Sequence, residues 1–362
     1  MSEGPDDAVL GDSLVRRTRR GYVRGATIVD VAHEAKVSIK TVSRVLNREP
    51  NVSAATRDLV LATASRLHYT PNFSARSLAG ARSYLLALLY DNPSAAYVAD
   101  LQAGALTCCR TEGYHLIVEP FDSASPDLVA RVMEMTAKLR TDGLILTPPL
   151  SDHPALREAL DSAQVRYVLI SPNLHASAGP SVRMDEEAAG REMTKLLIGL
   201  GHRKIGFVKG HPDHGGSHLR FSGYCDAMRE AGLEVSESLV VKGLYSFLSG
   251  VEAGIYLLER ADRPTAVFAA NDDMALGVMS VANRLGLALP RDLSVVGFDD
   301  TPTARVVWPQ LTTVRQPVAE MAAAAARLLI ADPSTETAPA LVLNFEIVIR
   351  GSTAPAPKMN AS

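Results

Sequence analysis

Seven short apolar runs recur through the larger part of the chain, and their spacing limits what it can fold into. They are 85–89, 115–118, 143–146, 167–170, 205–208, 266–269 and 294–296. Amphipathic segments separate them: 99–112, 128–139, 186–200, 221–231, 250–260 and 273–285. Short runs apolar on both faces, separated by helices, read as strands of parallel sheets, because a helical crossover must return the chain to the same sheet edge. The series is too long for one such sheet. It predicts two successive doubly wound α/β lobes, with any ligand in the cleft at the carboxyl ends of the strands.

The segment from Thr27 to Asn47, TIVDVAHEAKVSIKTVSRVLN, follows a different pattern. Val29, Val31, Ala32 and Ala35, then Val42, Val45 and Leu46, make two apolar stripes at helical spacing around Lys36-Val37-Ser38. Thr27 caps the first helix and Ser38 the second, each hydroxyl accepting an orphan amide hydrogen. Two short helices so joined make a helix-turn-helix, whose second helix can lie in a DNA major groove. Its outer face carries Lys40, Thr41, Ser43 and Arg44, donors suited to phosphates and base edges. The competing reading is a helical hairpin with a solvated charged face. Ser53 is expected to cap a third helix, with Leu59, Val60, Ala64 and Leu67 closing the small core.

Charge is distributed as a DNA-binding head requires. Residues 14–82 hold 13 Lys/Arg against 4 Asp/Glu, whereas the rest of the chain is acidic and brings the total to −3. A basic head on an acidic body approaches a polyanion head-first. Arg16, Arg17, Arg19, Arg20 and Arg24 form either an arm on the phosphates or a solvated tail. No stretch of eighteen apolar residues suggests a membrane span, and the acidic start lacks an apolar signal core, so a cytoplasmic protein is expected. Three cysteines, Cys108 and Cys109 adjacent, make no disulfide framework and fit a reducing compartment. His211, His214 and His218 have a spacing that zinc could use, but the Gly/Pro-rich setting favours a solvated loop, with a loop contacting the effector as the alternative. No nucleophile–base signature is present, so neither an enzyme nor a cofactor is expected.

Several motifs then resemble the LacI/GalR family of bacterial transcription regulators. They are TVSRVLN at 41–47, YTPN at 69–72 and NFSARSLAG at 72–80, followed by GHRKIGFV at 201–208 and Arg220 with Gly223-Tyr224. ANDDMALG at 270–277, VGFDD at 296–300 and PQLTTVRQP at 309–317 extend the likeness over roughly residues 26–351. One departure is Lys36, where the family commonly has glycine.

The resemblance implies an all-α helix-turn-helix domain (25–70) after a disordered basic extension (1–24). A hinge (71–82), an effector-binding and dimerisation core (83–351) and a disordered tail (352–362) would follow. The core would have the periplasmic-binding-protein-like fold: lobe 1 about 83–183 and 313–340, lobe 2 about 184–312 and 341–351. In such a regulator Ile39, Lys40 and Arg44 would read base edges, and Thr41, Ser43 and Asn47 would fix phosphates. Thr27, Ser38, Ser53 and Thr56 would complete the DNA-contacting set. Leu78 would wedge into the minor groove, with Asn72, Ala75 and Arg76 beside it. Arg220, Asn271 and Asp299 fall where the family contacts its small-molecule effector, most often a carbohydrate, although Asn271 and Asp299 could instead only cap helices. Tyr245 would stack on a sugar face, Asp91, Asn92, Ser94 and Tyr97 are further candidates in an altered first-lobe loop, and Ser171 is another, after the 167–170 strand. The tail lacks leucine heptads, so a homodimer is expected. The implied function is a repressor of a carbohydrate catabolic operon, released from a pseudo-palindromic operator by a sugar inducer. Alternatives are a corepressor-dependent regulator or an activator responding to a non-sugar metabolite.

Overall fold

The computed structural model describes residues 26–46, 51–69, 82–173, 179–331 and 340–357. These fall into two compact units divided between Arg82 and Ser83. The basic extension, Asn47 and the hinge residues Asn72, Ala75, Arg76 and Leu78 lie outside the described residues.

The first unit is three helices: α1 (Ile28–Glu34), α2 (Ile39–Leu46) and α3 (Ala54–Arg66). A capping box starts α1, with the Thr27 hydroxyl accepting from the Asp30 amide and the Asp30 carboxylate accepting from the Thr27 amide at 2.8 Å. Ser38 Oγ accepts from the Thr41 amide at 3.1 Å, and Ser53 Oγ from the Thr56 amide at 3.2 Å. Such caps contribute about 1 kcal/mol each. The turn after α1 is a Schellman motif: Val37 N–H reaches Ala32 O at 3.0 Å and Lys36 N–H reaches His33 O at 3.2 Å. It places Lys36 at φ 52°, the left-handed region that favours glycine. Val31, Ala32, Ala35, Val42, Val45, Val60 and Ala64 form the core. Val29, expected in an apolar stripe, and Leu59, expected to close the core, are instead half exposed (54% and 50%), because a core this small closes over one side of each helix only.

The second unit holds two six-stranded sheets. In the first, β1 (Leu85–Tyr90), β2 (His115–Pro120), β3 (Gly143–Leu146), β4 (Tyr167–Ile170), β5 (Ser181–Met184) and β11 (Ala340–Leu343) take the order β11-β5-β4-β3-β1-β2. In the second, β6 (Ile205–Lys209), β7 (Val240–Lys242), β8 (Ala266–Ala269), β9 (Ser294–Asp299), β10 (Thr312–Arg315) and β12 (Glu346–Val348) take the order β12-β10-β9-β8-β6-β7. All neighbours are parallel except β10 and β12. Strand β1 shows why its run is continuously apolar. Leu86 and Leu88 enter one core under α4 (Ala95–Glu112) and α12 (Val318–Ile330), while Ala87 and Leu89 enter another under α5 (Leu128–Leu139) and α6 (Pro154–Ser162). The remaining helices α7 (Glu186–Gly199), α8 (Gly215–Glu230), α9 (Phe247–Leu258), α10 (Asp272–Arg284) and α11 (Pro302–Val306) belong to the second lobe.

Two boundaries differ from expectation. Residues 313–315 stay in the second sheet because Thr313 pairs with Gly297 of β9, and residues 341–343 stay in the first because Leu341 pairs with Val182 of β5. The expected disordered tail is ordered through Pro357. Buried Ser352 accepts from the Thr312 amide at 2.8 Å and donates to Val295 O at 2.6 Å, and Ala356 N–H reaches Leu200 O at 2.8 Å.

Candidate DNA-binding face and effector cleft

Helix α2 buries Val42 and Val45 and turns Ser38, Ile39, Lys40 and Arg44 outward. Ile39 is 49% exposed at the first position of the helix. Thr41 and Ser43 are half-buried, and Thr41 Oγ1 lies 2.9 Å from Ser38 Oγ. Thr27, Ser53 and Thr56 hold the helix starts by the caps described above.

The cleft of the second unit is assembled from strand ends. Asn92, Ser94 and Tyr97 follow β1, Pro148 follows β3, Ser171 follows β4 and Glu186 follows β5. From the other sheet, His214 and Gly216 follow β6, Tyr245 follows β7, Asn271 follows β8, Asp299 ends β9 and Gln316 follows β10. Arg220, one turn into α8, completes the lining. Both sheets thus direct their carboxyl ends at one space, as doubly wound folds do. Backbone strain collects here: Ser171, Tyr245 and Asp299 have φ of 42°, 60° and 121°. Non-glycine residues at such angles cost energy and concentrate where function requires them.

Arg220 is the electrostatic centre. Its Nε–H donates to Glu186 Oε2 at 2.7 Å, Nη1 donates to Ala270 O at 2.5 Å, and its Cζ lies 3.6 Å over the Phe298 ring. Burial works most strongly against the guanidinium charge, but Glu186, Tyr245 and Asp299 together outweigh it and hold the pKa above its usual range. Burial pushes the Asp299 carboxyl up, with Arg220 opposing, and Asp299 Oδ1 accepts from Gln316 Nε2 at 2.5 Å. Burial also pushes the Tyr245 phenol up to about 12 and lowers His214 to about 4, the latter helped by neighbouring His211. Asn271 caps α10 through its Oδ1 and donates Nδ2–H to Tyr245 O at 3.0 Å. The Ser94 hydroxyl is buried in the cleft wall with no hydrogen-bond partner among the described residues.

Known proteins match both units. Residues 27–72 match the bacterial regulatory proteins of the lacI family, and residues 194–353 match a periplasmic binding protein-like domain. Catabolite control protein A of Priestia megaterium is 37% identical over 330 residues, covering 90% of this chain and 99% of that protein. The chain belongs to the LacI family. It is therefore a DNA-binding transcriptional regulator with a small-molecule effector. Among solved structures, a lac repressor dimer bound to operator and the anti-inducer ONPF superposes with a TM-score of 0.75 at 27% identity, over 91% of this chain and all of that one. The transcriptional regulator CelR in complex with cellobiose superposes with a TM-score of 0.69 at 33% identity, over 90% of this chain and 99% of that one.

Against this LacI-family frame, Arg220, Asn271, Asp299, Tyr245 and Ser171 all meet in the cleft, with Asn92, Ser94 and Tyr97. Asp91 does not line it: its carboxylate accepts from the Ser123 amide at 2.8 Å and ties two loops together. The histidine segment is no solvated loop throughout, since His214 is buried in the cleft wall and His218 stands in α8, hydrogen-bonded to Pro212 O at 2.6 Å. Among the described residues no cluster of His, Cys, Asp and Glu could hold a metal ion, and no helix is long and apolar enough to cross a membrane. Sequence reasoning missed Glu186, Gln316 and Pro148. The signal for all three was their place just past a strand.

Proposed function

We propose that this LacI-family protein is a homodimeric repressor of carbohydrate genes whose affinity for a pseudo-palindromic operator falls when a sugar occupies the cleft. Helix α2 enters the major groove, Ile39 meeting a thymine methyl and Lys40 and Arg44 meeting guanine, while Thr41, Ser43 and Asn47 fix register on phosphates. Thr27, Ser53 and Thr56 contact the backbone from the neighbouring helix starts. Asn72, Ala75, Arg76 and Leu78 form the minor-groove wedge. Acting on DNA places the protein in the cytoplasm. In the cleft, Arg220, Asp299 and Asn271 engage ring hydroxyls, and Tyr245 offers its face.

The observation that carries the sugar reading is the convergence of a guanidinium, a carboxylate, an amide and a buried unpartnered hydroxyl on one tyrosine-walled space. Vicinal hydroxyls, each both donor and acceptor, satisfy such a set. The cellobiose complex of CelR is consistent with it. The test is a thermal-shift screen of the full chain against sugars, repeated on Arg220→Ala. A stabilising sugar that also weakens operator binding, with both effects lost in the variant, supports the reading. A variant that still responds to the sugar removes Arg220 from the pocket.

A further inference from the structure

The geometry points to Glu186 as the residue that sets the charge of the effector: the cleft takes a polyhydroxylated ring bearing no negative charge, and Glu186 excludes phosphorylated and carboxylated analogues. This inference rests on the sugar reading above and narrows it.

The reasoning starts from what Arg220 has left to offer. In a cleft built to hold an anion, an arginine presents its planar fork to the ligand. Here Nε is taken by Glu186 at 2.7 Å, Nη1 by the Ala270 carbonyl, and one face by the Phe298 ring. The ion pair is fully desolvated, with side-chain exposures of 7% and 4%. Among the described residues the lining contains no other Lys or Arg, and burial keeps the His214 ring neutral at ordinary pH. Glu186 thus compensates the single guanidinium of the lining, and the Asp299 carboxyl, pushed up by burial, supplies no cation. A phosphate or carboxylate entering this space meets no uncompensated cation, and must approach Glu186 in a low-dielectric setting where like charges repel strongly.

Hydroxyl groups meet the opposite situation. Gln316 occupies Asp299 Oδ1, leaving the second carboxyl oxygen for a ligand hydroxyl. Gly216 clears space beside the ion pair: a β-carbon there would lie 3.5 Å from Glu186 Oε1 and 3.7 Å from Arg220 Nη2. An acceptor and a donor are therefore side by side where a glycine removes the wall, which suits a hydroxyl. The competing explanation is that Glu186 only starts α7, where an acid is favoured by the helix dipole, and steadies Arg220. That role would leave charge selection untouched.

The experiment uses the full-length protein and matched sets built on glucose, galactose and cellobiose. Each set contains the neutral sugar, its aldonic acid, its 6-phosphate and an amine-bearing analogue. Binding is read by calorimetry on wild type and on Glu186→Gln, which keeps an acceptor for Arg220 Nε and removes the charge. The expected result is that the neutral sugar binds, the amine-bearing analogue is tolerated, and both anions bind at least ten-fold more weakly. In Glu186→Gln that gap narrows at least ten-fold. Anions binding wild type as well as the neutral sugar, or an unchanged gap in the variant, overturns the inference and leaves the sugar reading standing. The wild-type comparison of acid with amine stands without the variant: equal rejection of both assigns exclusion to size and overturns the role of charge. Absence of binding by every member of every set overturns the sugar reading, and this inference with it.

Discussion

Gly210→Ala tests whether the Tyr245 ring is a wall of the effector site. Gly210 directly follows β6, and a β-carbon there would fall 2.1 Å from Tyr245 Cζ and 2.4 Å from both Cε1 and Oη. Ordinary carbon–carbon contact is about 3.5–4.0 Å, so the ring must shift by roughly 1.5 Å. It cannot do so freely. Tyr245 is buried, its carbonyl accepts from Asn271 Nδ2 at 3.0 Å, and its ring centroid lies 5.1 Å from that of His214. Overpacking of this kind costs about 1–3 kcal/mol. For a unit of this size that corresponds to a fall in Tm of roughly 2–10 °C. We expect calorimetry to show at least ten-fold weaker sugar binding, with operator affinity retained. In a Tyr245→Ala background the methyl group meets no ring, so the same substitution should cost little, giving a coupling of about 1 kcal/mol or more in the double-mutant cycle. Additive effects, or unaltered sugar binding in Gly210→Ala, would show that the ring does not shape the site.

Further outcomes follow from single positions. Lys36→Gly relieves the left-handed strain at φ 52° and should stabilise the helical unit by about 1 kcal/mol, read as slower amide exchange in α1 and α2; faster exchange would contradict the strain. Ser94→Ala removes a buried hydroxyl that lacks a partner, so it should leave the melting temperature unchanged or raised while weakening sugar binding; a clear loss of stability would show that the hydroxyl is already satisfied. His214 is held near 4, below its ordinary 6.5, so the unfolded chain takes up the proton first as pH falls. Its stabilising contribution is present above about pH 6.5 and lost towards pH 4, a fall of about 2 kcal/mol between pH 7 and 5. Urea midpoints of wild type and His214→Gln should differ in that slope, and parallel pH profiles would remove His214 as the source.

The strands most legible in the sequence were those buried on both faces, since an unbroken apolar run such as Leu86–Leu89 has little alternative. Strand β7 escaped because it is only three residues long, and β5, β10, β11 and β12 escaped because Ser181-Val182-Arg183-Met184, Thr312-Thr313-Val314-Arg315 and Glu346-Ile347-Val348 mix polar with apolar residues and Ala340–Leu343 is largely exposed. Those segments also lie near the crossings between lobes, which is why the expected boundaries fell a few residues away. The cleft was legible where a motif marked it, as at Arg220, Asn271 and Asp299. Glu186 was hidden because an acid opening a helix needs no further explanation, and its partner lies 34 residues away. For His214 a glycine- and proline-rich neighbourhood favours solvent over effector contact, whereas the ring is buried in the cleft wall just before α8 begins at Gly215. Asp91 looked like a ligand contact from its place after β1, and only the fold shows it committed to Ser123.

The most direct measurement is selection of binding sites from randomised duplex DNA by the full-length protein, followed by anisotropy on the enriched duplex with and without a stabilising sugar. The proposed mechanism predicts two inverted half-sites about one helical turn or less apart, and an affinity that falls when the sugar is added. Failure to enrich any sequence, or an enriched site whose affinity no ligand of the cleft alters, would contradict a sugar-released operator-binding repressor.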